Sequence, residues 1–153
     1  MLELSLRYEE NGIAHNDLVL HFAGQTRVCD TYYFTFDRNL RSEDGSPDKV
    51  RAILRKLLEQ WLTAATNLPD GGTTFLPYDF SDQYTGWLRC QRNGDEMAVS
   101  LGWDENVQGW SLFPSAIGEY LSQLPSFKVE GSAIKSSKDD LLLAIRDSLS
   151  QAD

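Results

Sequence analysis

The stretch Leu88–Leu101, LRCQRNGDEMAVSL, decides the fold. At its centre lies Asn93-Gly94, the strongest two-residue hairpin signal, because a type I′ turn needs positive φ at both central positions. With that dipeptide as the loop, Arg92 pairs with Asp95, Cys90 with Met97 and Leu88 with Val99. The alternation then puts Leu88, Cys90, Met97, Val99 and Leu101 on one apolar side, and Trp87, Arg89, Gln91, Glu96 and Ser100 on the other.

Just beyond the hairpin, Gly102–Trp110 reads GWDENVQGW. Asp104-x-Asn106-x-Gln108-Gly109 is close to the first half of a calcium loop, which places a bidentate glutamate at its twelfth position. Counted from Asp104 the twelfth residue is Ser115, Glu119 lies four further on, and a strand rather than a helix precedes the motif. The stretch is therefore expected to be a polar turn, with Gly109 free to take positive φ, leading into a short third strand over Trp110–Phe113.

Working outward, Leu2–Tyr8 alternates Leu2, Leu4, Leu6 and Tyr8 against Glu3, Ser5 and Arg7, the pattern of a half-buried strand. Asp17–Phe22 and Arg27–Phe36 read as two more strands, separated by Ala23-Gly24-Gln25, and an antiparallel meander is the economical assembly. Ser46-Pro47 is an N-cap followed by proline at the first helical position. A helix over 47–66 follows, with Val50, Ile53, Leu54, Leu57, Leu58, Trp61, Leu62 and Ala65 at three- and four-residue steps and Lys49, Arg51, Arg55, Lys56 and Glu59 opposite. Two C-terminal helices are predicted. One covers Ser115–Leu124 and is stopped by Pro125, and the other opens at Ser137-x-x-Asp140 and carries Leu141, Leu142, Ile145 and Leu149.

The 153 residues suit one domain, and 41% hydrophobic with 24% charged side chains is ordinary for a self-folding chain. No apolar run approaches the length that spans a bilayer, and MLELSLRYEE lacks the basic and apolar regions of a signal peptide, so a cytoplasmic location is expected. Fourteen Lys and Arg stand against 23 Asp and Glu, a formal charge of −9, and such a field repels nucleic acid while favouring basic partners.

Little in the chain points to catalysis. Cys29 and Cys90 form no CxxC pair, and His15 and His21 have no metal-ligand spacing, so neither a metal nor any other cofactor is indicated. GxSxG and phosphate-loop motifs are absent, and the carboxylates Asp79 and Asp82 suit a loop or cap better than acid–base work. The sharpest site is a set of tryptophans after glycine, Trp87, Trp103 and Trp110, rimmed by Asp79, Asp82, Glu96, Asp104 and Glu105: aromatic anchors with an acidic border. Cover of Trp87 by the 47–66 helix or the N-terminal sheet is the competing expectation.

At FLPYDFSDQYTGWL, Phe75–Leu88, and GWDENVQGWSLFPS, Gly102–Ser115, the chain resembles small bacterial proteins of the toxin-immunity type. The resemblance implies an acidic cytosolic protein that blocks a toxin by occupying its surface, and it brings no catalytic residues with it. The resulting expectation is one α+β domain, with antiparallel strands from the N-terminal third and the central hairpin packed on the 47–66 helix and closed by two C-terminal helices. Its function is expected to be protein binding, as an immunity or inhibitor protein for a basic partner, with no nucleic acid and no membrane involved. The alternatives are a small-molecule or enzymatic pocket between sheet and helix near Tyr78, Tyr84 and Trp87, and a structural subunit of a larger assembly.

Overall fold

The computed structural model describes residues 2–10, 17–30, 35–37, 40–41, 47–108, 120 and 123–152. Its hairpin is the predicted one, with partners displaced by two residues. β7 (Thr85–Asn93) and β8 (Glu96–Asp104) pair Asn93 with Glu96, Cys90 with Val99 and Leu88 with Leu101. The loop is therefore Gly94-Asp95 rather than Asn93-Gly94. Gly94 has φ +62°, and Ala23 is the only non-glycine with positive φ among the described residues, so this is the type II′ arrangement with glycine first. Local bonds favour this choice: the Gly94 N–H donates to Asp70 Oδ1 at 2.6 Å and Arg92 Nε donates to the Gly94 carbonyl at 2.7 Å. Because side chains alternate with a period of two, the displacement preserves the faces, and Leu88, Cys90, Met97, Val99 and Leu101 are all buried.

β6 (Thr73–Phe80) adds to the outer side of β7 and β9 (Lys128–Ser137) to the outer side of β8, completing a four-stranded antiparallel sheet in the order β6-β7-β8-β9. Pro77 sits in β6, an edge strand of that sheet, where a missing N–H is tolerated, and its carbonyl accepts the Trp61 Nε1–H at 2.9 Å. Both faces of this sheet are covered. On the Trp87 face, Phe127 meets Phe75 edge-on with ring centroids 5.2 Å apart, and Tyr120 lies 6.2 Å from Trp87.

The N-terminal sheet is the predicted meander, made by β1 (Leu4–Tyr8), β2 (Leu18–Phe22) and β3 (Gln25–Cys29). Its β2–β3 turn has Ala23 at φ +50° and Gly24 at +81°, the I′ combination. The strand expected over Arg27–Phe36 is divided: β3 ends at Cys29, and Thr35–Asp37 is β4, pairing with β5 (Leu40–Arg41).

α1 spans Pro47–Thr66 and buries Val50, Ile53, Leu54, Leu57, Leu58, Trp61 and Ala65, the predicted apolar face. α2 (Lys138–Gln151) is capped by Ser137, whose Oγ accepts the Asp140 N–H at 3.0 Å. It packs on α1 and on β1, where Ser148 Oγ accepts the Leu6 N–H at 3.2 Å across 142 residues of sequence. One apolar cluster runs through both sheets and both helices. The chain is thus α+β, with antiparallel sheets of three and four strands and two helices beside the short β4–β5 pair among the described residues. The helix expected over Ser115–Leu124, the strand over Trp110–Phe113 and the Ser46 cap fall outside the described residues.

Candidate functional site

A cleft of about 690 Å³ opens where β3 meets one end of the four-stranded sheet. Its geometry starts at an irregularity in β6. Pro77 pairs with Trp87 and Asp79 with Gly86, which leaves Tyr78 as an extra residue, a bulge that re-aims the side chains beside it. The Tyr78 ring lies over Gly86, where a Cβ would stand 2.7 Å from the ring. β3 contributes Arg27 and Val28 to the cleft, the β6–β7 connection Gln83 and Tyr84, the end of β8 and its following turn Trp103 and Glu105, and β9 Glu130. Arg27 and Glu130 form an ion pair across it, from one sheet to the other.

Asp79 is the central group. It is only 8% exposed, and its Oδ1 accepts the backbone N–H of Asp30 at 2.9 Å, a bond that ties the two sheets together. Its Oδ2 accepts the Tyr84 hydroxyl at 3.5 Å. Burial pushes the Asp79 carboxyl up to about 6, opposed by the Asp30 N–H bond and reinforced by the Asp30 charge. The effect is mutual: the Asp79 charge raises the Tyr84 hydroxyl, while burial first and Asp79 after it raise the Cys29 thiol. Burial also raises the Tyr78 hydroxyl. No lysine, arginine or histidine among the described residues forms an ion pair with Asp79. Three carboxylates, Asp79, Glu105 and Glu130, thus face one guanidinium, Arg27, between aromatic walls. Such a site attracts cations through both charge and ring faces.

Of the residues singled out in the sequence, the structure brings together Trp103, Asp79 and Glu105. Trp103 is half-buried on the cleft, and Glu105 is exposed, with Lys128 Nζ 3.5 Å from its carboxylate. Asp82 is exposed in the β6–β7 connection, next to Gln83. Glu96 stands at the opposite end of β8, beside the hairpin loop, where it pairs with Lys135 at 3.7 Å. Asp104 is 1% exposed, and its Oδ1 accepts the Asn106 N–H at 2.8 Å, the side-chain bond of a turn. Trp87 is fully buried on the other face of the sheet, with the Tyr120 ring tilted against its own. Its indole donates to Thr85 Oγ1 at 2.7 Å, which in turn donates to the Val107 carbonyl at 2.8 Å. Trp110 lies outside the described residues.

The pocket expected between sheet and helix near Tyr78, Tyr84 and Trp87 is formed instead between the two sheets, with both tyrosines on it and Trp87 behind it. Arg27, Val28, Gln83 and Glu130 were not legible as site residues. Val28, 54% exposed in a strand, is the one with a signal, an apolar side chain on the polar side of an alternating pattern. No family model, curated protein or solved structure matches the chain. Fold and site alone therefore define the class: an α+β protein with an acidic, aromatic cleft between two sheets.

Proposed function

We propose that the protein is a binding module for a basic protein partner, of the immunity or inhibitor type, working in the cytosol. The observation that carries this reading is the cleft itself, in which Trp103 stands with Asp79, Glu105 and Glu130, of which Glu130 is paired with Arg27 and Glu105 with Lys128, while Asp79 has no ion pair among the described residues. A net charge of −9 steers a basic partner toward the protein from a distance, and a half-buried tryptophan in a cleft is the residue type that supplies most of the affinity once contact is made. The likeness of Phe75–Leu88 and Gly102–Ser115 to toxin-immunity proteins supplies the partner class, a toxin. A second reading, a small basic ligand held in the same cleft, draws on its volume, which lies within the roughly 300–1,000 Å³ of small-molecule sites.

The test is capture from native lysate at low and at high salt, using the wild-type chain, Trp103→Ala and Glu96→Gln as baits. The expected result is one basic protein held stoichiometrically by wild type and by Glu96→Gln, released by salt and lost on Trp103→Ala. Circular dichroism of the Trp103→Ala variant should be that of wild type. Recovery of nothing on a monodisperse wild-type bait would count against a protein partner and turn attention to small basic ligands.

A further inference from the structure

Resting on that reading, we infer that the cleft receives an arginine side chain of the partner, with its guanidinium on Asp79 and the rings of Tyr84 and Trp103 beside it. Three observations converge on this chemistry. The first is that Asp79 is a nine-tenths buried carboxylate whose hydrogen bonds come from the backbone N–H groups of Asp30 and Phe80 and from the Tyr84 phenol, none of which carries charge. A carboxylate so placed destabilises a fold, and a cation brought from outside relieves it. The two oxygens of a carboxylate offer about four acceptor sites, so these three bonds leave room for a guanidinium N–H.

The second observation is the composition of the walls. Tyr84 and Trp103, both partly exposed, line the cleft beside that carboxylate. A guanidinium is planar, packs on ring faces and is less strongly hydrated than an ammonium, so this environment favours arginine over lysine. The cleft already accommodates one such group, since Arg27 lies along it paired with Glu130 without forming an ion pair with Asp79. The third is size. About 690 Å³ is several times the volume of one side chain, so the residues flanking the arginine enter with it, as on a protruding loop.

The test is a titration of the whole protein, followed by 1H–15N spectra, with the blocked tripeptide Gly-Arg-Gly and its lysine and citrulline counterparts. The arginine peptide should give saturable shifts in the millimolar range, concentrated at the Trp103 indole N–H and the Asp30 amide. The lysine peptide should bind several-fold more weakly, and the neutral citrulline peptide should leave the spectrum unchanged. With the carboxyl near 6, affinity should be about tenfold lower at pH 5.0 than at pH 7.5. In Asp79→Asn that pH step should vanish and binding should be weak at both values, although Asp30, Cys29, Tyr78, Tyr84 and Arg27 still surround the site.

Equal binding of citrulline or lysine peptide would overturn the inference. So would non-saturating shifts scattered over the surface, or unchanged affinity in Asp79→Asn. The two readings fail separately. A partner captured by wild type and lost with Trp103→Ala, while the peptides do not bind, sinks the arginine assignment and leaves the binding module. Peptide binding with no partner captured does the reverse.

Discussion

Asp79 makes the candidate site measurable without any partner. At pH values below the ordinary carboxyl value of 3.8 it is protonated in both the folded and the unfolded chain and has no effect on stability. As pH rises from there to about 6 the unfolded chain releases its proton first, so folding weakens, and above about 6 the loss is complete. A shift of that size corresponds to about 3 kcal/mol. Asp79→Asn, which can still accept the Asp30 N–H, should therefore raise the melting temperature at pH 7.5 and have no effect near pH 4. Melts across that range check the prediction, and a variant less stable than wild type at pH 7.5 would mean that the bonds of the carboxylate matter more than its charge. The same scale shows why the tryptophans were hard to read. Trp103 continues the buried series Met97, Val99 and Leu101 yet lies half-exposed, whereas Trp87 lies off that series and is fully buried. Alternation tells two faces apart, but it does not say that a sheet is covered on both, nor that a strand end runs past the core.

Among the elements, α1 was legible because its seven buried side chains repeat at helical spacing and its polar side is charged. β9 was not. It is an edge strand, six of its ten residues are exposed, and residues 131–133 stand opposite Ser100 at a bulge that interrupts the period of two. Glu130 was lost from the candidate site with it. The hairpin register moved by two because Asn-Gly and Gly-Asp are overlapping, competing loops, and contacts from Asp70 and Arg92, both outside the dipeptides, accompany the second. Two glycines of this sheet should respond very differently to alanine. At Gly102 a Cβ would overlap the Lys128 carbonyl and the Phe127 ring, so Gly102→Ala should cost about 3 kcal/mol or more and speed amide exchange along β9. At Gly94 nothing lies within 4 Å, and only the φ of +62° resists a side chain, so Gly94→Ala should cost about 1–2 kcal/mol and leave β9 protected. Denaturant titration and hydrogen exchange on both variants check the contrast.

For the molecule as a whole, the charge of −9 acts on folding and on binding with opposite sign. Self-repulsion loosens the compact state, so raising salt from about 20 to about 200 mM should raise the melting temperature. The same screening should weaken capture of a basic partner. Melts and pull-downs in matched buffers check both directions, and a melting temperature that falls with salt would show that internal ion pairs such as Arg27–Glu130 outweigh the repulsion.

The bond from the Leu6 N–H to Ser148 also concerns how the chain is made. β6 to β8 follow one another as tight neighbours and can pair as soon as they are synthesised, but the outer side of β1 is covered by a helix 142 residues downstream. At roughly 5–20 residues per second, a ribosome takes on the order of 10 s to cover that distance. For that interval the nascent N-terminal meander shows an open strand edge to the cell, and it is then that the chain is most open to chaperones and to mispairing with its own kind.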